Sequence, residues 1–154
     1  MSTSISYVLD AIRARVPIVL TGSRFELPNP YDLVENSEHF LDNGWGIKVG
    51  PTTNFNLNYN SIAERRTVSI VITRRVPRIT GQQTQLHTSI KNLLEDELKI
   101  KKDFVDSEEL GVPQYLIKID YTSSSGIEFV QTGKFSIIST EIIFEALIKE
   151  ALSC

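Results

Sequence analysis

Alternating apolar and polar residues mark the clearest predicted element, a strand over residues 65–76. Four apolar residues share one parity along the strand, and they are Val68, Ile70, Ile72 and Val76. The positions of the other parity include Thr67, Ser69, Thr73 and Arg75. β-Branched residues with a period of two are typical of a strand that buries one face. We therefore expect one face of this strand to pack on a core and the other to meet solvent.

Two segments instead repeat their apolar residues at helical spacing. The first begins after N-cap residues available at Ser2, Thr3 and Ser4, and Pro17 is expected to end it. Its apolar face consists of Ile5, Val8, Leu9, Ile12 and Val16. The second predicted helix covers residues 84–102, and its apolar face consists of Leu86, Ile90, Leu93, Leu94 and Leu98.

The remaining extended segments are shorter. Gly44-Trp45-Gly46 leads into a strand at 47–49, and its glycines predict a close approach of another part of the backbone. Residues 52–60 alternate asparagines with apolar residues, which favours the arm of a hairpin. Further strands are predicted at 115–121, 127–130 and 135–147, although the last segment also fits a helix.

This order of elements predicts a fold class. A helix, a loop, two strands, a second helix and further strands indicate an α+β domain with two helices packed on one face of a mostly antiparallel sheet. The chain has 154 residues and 41% hydrophobic residues, which suits one domain, 1–154, with one core.

The net charge and the cysteine content limit the classes of function that fit this chain. The formal net charge is −3, so the chain lacks the overall basic footprint of a nucleic-acid or membrane-surface protein. A local basic group remains, and it consists of Arg65, Arg66, Arg74, Arg75 and Arg78. It fits either a solvated strand edge or a contact with a partner. The one cysteine, Cys154, forms no internal disulfide, and we find no signal peptide or membrane span. We expect an intracellular protein, or part of an assembly made inside a cell.

Candidate chemistry is sparse. His39 and His87 lack partners at metal-ligand spacing, and the acidic residues at 32–42 match no Ca²⁺ loop. The serines at 123–125 lack the glycine pattern of a nucleophile elbow. We therefore expect no catalytic residue, no metal site and no cofactor, and hence no enzyme.

Several segments together resemble the tail terminator, or tail completion, proteins of long-tailed bacteriophages. The strongest similarity lies in Gly-Trp-Gly-Ile-Lys-Val-Gly-Pro at 44–51 and Val-Ser-Ile-Val-Ile-Thr-Arg-Arg at 68–75. The N-terminal helix, the Asn-Pro-Tyr-Asp-Leu segment at 29–33 and the closing segment at 141–146 fit the same pattern. The resemblance covers most of the chain.

The resemblance implies a structural virion protein of the tail or neck, assembled in the host cytoplasm. Its family forms a ring, usually of six copies, that stops growth of the tail tube and joins it to the head connector. The implied partners are further copies of the chain, the tail tube protein, the neck proteins and, in a contractile tail, the sheath. DNA would pass through the lumen without specific binding, and no membrane is involved.

We expect contact residues in the arginine-containing strand at 65–76 and in the asparagine-rich arm at 52–60, which we call the polar arm. They are Arg65, Arg66, Arg74, Arg75, Asn54, Asn56, Asn58 and Tyr59. Asp96, Glu97, Glu108 and Glu109 would offer complementary acid to a neighbouring copy. Reversing the charge of Arg74 with Arg75 should then weaken assembly and leave the monomer folded. Another head–tail connector (a stopper or adaptor), a tail-assembly chaperone and a small enzyme are the alternative functions.

Overall fold

The computed structural model describes residues 3–57, 61–76, 83–106, 110–131 and 136–151. The helices are α1 (Ser4–Leu20), α2 (Glu38–Leu41) and α3 (Gln83–Asp106), with a 3-10 turn at Leu33–Glu35. The strands are β1 (Phe25–Glu26), β2 (Gly44–Leu57), β3 (Ser61–Val76), β4 (Leu116–Ser124), β5 (Glu128–Gln131) and β6 (Ser136–Ala151). The chain is an α+β protein, as the order of its elements predicted. Within the described ranges, no helix combines the length and apolar composition needed to cross a membrane.

The strands form one mostly antiparallel sheet in the order β1-β2-β3-β6-β4, and β5 also pairs with β6. β3 and β6 are antiparallel from Ser61 opposite Ala151 to Val76 opposite Ser136. The other side of β6 pairs with β5 near its start and with β4 further along. β3 is therefore paired on both sides, and its interpretation as a strand edge is wrong.

α1 and α3 cover one face of the sheet, which we call the helical face. The buried side chains that join these helices to the strands include Val8, Ile12, Val16, Leu93, Ile100, Phe104, Val68, Ile70, Ile72 and Phe144. The predicted side of β3 thus faces the core. Trp45 joins the same cluster, so its ring fills space under the helices while its neighbouring glycines face the other way.

The opposite face, which we call the loop face, is covered by residues 27–41. Leu27, Leu41 and Ile137 form a second apolar cluster there. The Thr73 hydroxyl donates to the Leu41 carbonyl at 2.7 Å and accepts from the Gly44 N–H at 3.2 Å. Thr73 and Ser69 are both buried. The expectation of a single buried face is therefore wrong, because the second face is covered by the loop, to whose backbone the Thr73 hydroxyl bonds.

Both long helices extend beyond their predicted ends. The Thr3 side chain accepts from the Ser6 N–H and caps α1, as expected, but the helix passes through Pro17 and ends at Leu20. Proline removes one donor from a helix, yet Leu20 is fully buried and the Thr21 N–H donates to the Pro17 carbonyl at 3.1 Å. Packing and this closing bond outweigh the missing donor.

The strand predictions hold with shifts in length. β2 and β3 form the expected hairpin, and β6 is a strand that continues past residue 147 to Ala151. β4 contains a bulge between Leu116 and Lys118. An extra residue in one strand changes the side toward which the following residues point. Leu116 and Ile119 are consequently both buried, whereas Ile117 is exposed.

The two glycines before the predicted strand at 47–49 have the close backbone approach that their spacing indicated. A Cβ atom at Gly44 would overlap the Phe40 carbonyl oxygen and lie 2.7 Å from Leu27 Cδ2. A Cβ atom at Gly46 would lie 2.6 Å from Pro30 Cβ. Residues 27–41 can therefore lie flat on the loop face only where β2 has no side chain.

Replacing these glycines by alanine should destabilise the fold in a graded way. We expect Gly44→Ala to cost about 3 kcal/mol, because fixed backbone cannot move aside, and Gly46→Ala about 2 kcal/mol. Gly50→Ala is the matched control, since its nearest contact, Thr67 Cβ at 3.0 Å, is much less severe. Urea unfolding of the three variants measures these differences. Equal stability of all three would contradict this account of the loop face.

Candidate interaction surfaces

The predicted contact arginines do not form one patch. Arg65 and Arg66 lie near one end of β3 and Arg74 and Arg75 near the other, about 30 Å apart at the usual rise of a strand. Adjacent strand residues also point to opposite faces. Arg74 accordingly contacts α3 on the helical face, and Arg75 contacts Glu38 of α2 on the loop face.

Each of the four arginines has an acidic partner within the chain. Arg65 pairs with Glu145 at 3.1 Å and Arg66 with Glu64 at 3.3 Å. Arg74 pairs with Asp96 at 2.9 Å and Arg75 with Glu38 at 2.8 Å. Their charges are therefore largely compensated before any partner approaches.

The polar arm is described only in part. Asn54 and Asn56 lie in β2, opposite Arg65 and Ala63 of β3. Asn58 and Tyr59 lie outside the described residues. The same holds for Arg78, Glu108 and Glu109. The assignment of these positions to an interface stays a prediction.

Asp96 of α3 is the centre of a buried ionic cluster. Its carboxylate, 3% exposed, accepts from Arg24 Nη1 at 2.8 Å, from Arg24 Nη2 at 3.2 Å and from Arg74 Nη2 at 2.9 Å. Arg24 also donates to the carbonyl oxygens of Leu20 and Thr21 at the end of α1. One carboxylate thus connects α3 with the end of α1 and with β3.

Two expectations about this region are corrected. Asp96 and Glu97 were candidates for contact with a neighbouring copy, but both are buried, and Glu97 accepts from the Thr140 hydroxyl at 3.2 Å. The Arg74 side chain is only 20% exposed. The proposed reversal of Arg74 with Arg75 assumed exposed side chains, but at Arg74 a reversed charge would oppose the buried Asp96 directly.

The sheet edges are poor sites for adding a strand from another molecule. β4 has bulges beside Lys118 and Ser123, and Lys118 and Asp120 form an ion pair on it. β1 pairs only with the start of β2, and further along the same edge the Tyr31 hydroxyl accepts from the Val49 N–H at 3.0 Å. Bulges, charges and capping groups are the usual means of blocking edge pairing. These parts of the sheet edges therefore favour contacts through side chains over the addition of a strand.

Two groups of exposed apolar side chains are candidates for such contacts, and further apolar side chains are exposed elsewhere, at Tyr7, Ile18, Ile117, Tyr121 and Phe129. Leu94, Leu98 and Val105 on α3 are 45%, 52% and 60% exposed, and we call them the α3 stripe. Tyr31 and Val34, each 62% exposed, lie on the loop face within residues 31–35, which we call the acidic turn because Asp32 and Glu35 are exposed beside them. Clusters of exposed apolar groups on the surface of a protein often mark contacts with other proteins.

Sequence reasoning missed the α3 stripe by assigning Leu94 and Leu98 to the core. The buried side of α3 instead follows steps of alternating three and four residues through Leu93, Glu97, Ile100 and Phe104. Leu94 and Leu98 lie about 100° away from this line on the helix. Extending the apolar pattern to Ile100 and Phe104 would have revealed the difference, because these residues continue the line through Leu93.

A cleft with a volume of about 400 Å³ lies beside α2. It is lined by Ser23, Phe25, Glu38, His39, Asp42, Asn43 and Arg75. His39 packs on the Phe25 ring at 4.3 Å, and Glu38 pairs with Arg75, so these side chains support the turn around α2. Within the described residues, no group of three or more His, Cys, Asp or Glu side chains is arranged to hold a metal ion.

The two segments that carry the family resemblance become neighbours in the sheet. Gly46 lies opposite Val71, Ile47 opposite Ile70 and Lys48 opposite Ser69 in the β2–β3 pair. Their similarity therefore concerns one contiguous piece of structure. In comparisons with known proteins, no protein-family model matches the chain, and no curated protein matches it.

Replacing Asp96 by asparagine should destabilise the protein by about 3–5 kcal/mol. The change leaves Arg24 and Arg74 buried without a balancing charge, which costs far more than losing an exposed pair. Glu95→Gln is the matched control, because Glu95 is the exposed neighbour on α3 and should change stability by less than about 0.5 kcal/mol. Thermal unfolding followed by circular dichroism compares them. Equal melting temperatures would refute the central role of Asp96.

Proposed function

We propose that the chain is a subunit of a ring, usually of six copies in the family it resembles, that caps the tail tube of a long-tailed bacteriophage. The proposal is supported by the resemblance of residues 44–51 and 68–75, which form adjacent strands. The ring would stop polymerisation of the tube and join it to the head connector. The chain would then belong to the neck of the virion.

The observation that carries this proposal is the presence of two dissimilar exposed apolar surfaces. The α3 stripe lies on the helical face, and Tyr31 and Val34 lie on the loop face. A subunit that uses two different patches makes head-to-tail contacts, and such contacts close into a ring when the rotation between subunits permits it. A two-fold dimer, by contrast, uses one patch twice.

The mechanism that follows is geometric and involves no reaction. One end of the ring binds the last tube subunits, and the other end presents a different surface, so no further tube subunit can add. Growth stops because the site for the next subunit is replaced. The open centre lets DNA pass without sequence-specific contacts.

Removing the chain from the phage that encodes it should produce overlong tails without heads. Tube growth then lacks its stop, and the connector lacks its partner. Electron microscopy of lysates measures tail length and head attachment, and supplying the chain from a plasmid is the control.

Other results would change the assignment. Tails of normal length beside filled, unattached heads would indicate a stopper or adaptor on the head side. Tails that fail to form, together with absence of the chain from finished particles, would indicate an assembly chaperone. Normal infectious particles would exclude a structural role.

A further inference from the structure

The α3 stripe lies on the flank of the helix that faces away from α1. Arg15 of α1 donates to Asp103 through Nε at 2.7 Å and Nη2 at 2.6 Å, and these bonds hold α1 against the other flank. The hydrogen bonds that Arg15 makes with Asp103, and the negative charge of the Asp103 carboxylate, raise the pKa of Arg15 above its usual value. The Arg15–Asp103 contact therefore holds α1 on the other flank of α3, and the stripe stays exposed.

Exposed positive charge flanks the stripe. Lys91 lies three residues before Leu94 and Lys102 four residues after Leu98, so both neighbour the stripe on the helix surface. One exposed acid, Glu95, lies at its rim. Lys101 also borders the stripe, but its ammonium lies 4.5 Å from the centre of the Tyr121 ring and pairs with Glu97 at 3.4 Å. Lys91 and Lys102 are the lysines available to a partner.

The acidic turn is held rigidly before any contact is made. The buried Asn36 side chain donates to the carbonyl oxygens of Asn29, Asp32 and Leu33 at 2.8, 3.1 and 3.2 Å. It also accepts from the Asn29 N–H at 2.9 Å. A preordered loop loses little conformational entropy when it binds. Tyr31 and Val34 are thus presented on a fixed support.

We propose that the α3 stripe of one copy binds the acidic turn of the next copy. Leu94, Leu98 and Val105 would cover Tyr31 and Val34, while Lys91 and Lys102 face Asp32 and Glu35. An apolar centre with opposite charges at its rim is the usual composition of a specific interface. This inference rests on the proposed ring and names the contact that closes it.

The pairing can be tested with two variants that each disable one side. The first carries Lys91→Glu with Lys102→Glu. The second carries Asp32→Asn with Glu35→Lys, and the asparagine keeps the oxygen that accepts from the Val34 N–H. All four positions are exposed, so both variants should unfold at the wild-type temperature. Lys99→Glu, which is exposed and lies about 120° around α3 from the centre of the stripe, is the control for a charge change alone.

Light scattering and native mass spectrometry then measure assembly of the full chain. Each variant alone should assemble on the order of 100-fold more weakly than the wild type, because like charges meet in every contact. An equal mixture should reassemble into rings with an even number of copies, since the variants complement each other when they alternate. One chain carrying all four changes should also assemble, whereas Lys99→Glu should behave as the wild type.

Failure of the proposed contact can be distinguished from failure of the proposed ring. Rings formed by either variant alone would overturn the contact and leave the proposed ring intact. Two monomeric variants that do not reassemble, either mixed or as the four-change chain, would show that these surfaces do not bind each other. A wild-type chain that stays monomeric at every concentration, alone and with tail tubes, would overturn the proposed ring itself.

Discussion

The buried carboxylate of Asp96 is the interaction on which the arrangement of the helices depends. A charge removed from water is tolerated only when its partners are close and well oriented. Arg24 and Arg74 meet this condition, one beside the end of α1 and the other on β3. Asp96 therefore fixes where α3 crosses the sheet. Because α1 is joined to α3 a second time through Arg15 and Asp103, the flank of α3 that remains exposed is fixed as well.

The two faces of the sheet are built by different means, and this difference creates the two surfaces that the proposed assembly would use. Apolar packing holds the helices on one face, whereas Thr73 and the side-chain-free positions Gly44 and Gly46 bring the loop backbone onto the other. The chain that supports the acidic turn lies close to β2 because Gly44 and Gly46 have no side chains, and the turn extends outward from this support. Apolar groups are consequently exposed on both faces, with basic residues beside one and acidic residues beside the other.

Local patterns were sufficient to predict most of the fold and little of the candidate contact. The period of two in β3, the helical spacing in α3 and the glycines around Trp45 each depend on near neighbours, and the structure confirms them. The partners of Arg74 and Asp96 are distant in sequence, so their pairing could not be derived from spacing. Both residues were consequently assigned to the surface. The assignment of Leu94 and Leu98 to the core failed for another reason, because the apolar pattern was followed over too few turns of the helix.

Locating the chain on intact particles tests the proposed function most directly. Gold particles bound to an affinity tag on this chain can be mapped by electron microscopy on purified tails and on complete virions. The account predicts label only at the head-proximal end of the tail, at the junction with the head. Label along the tube, at the distal tip or on no part of the particle would contradict it.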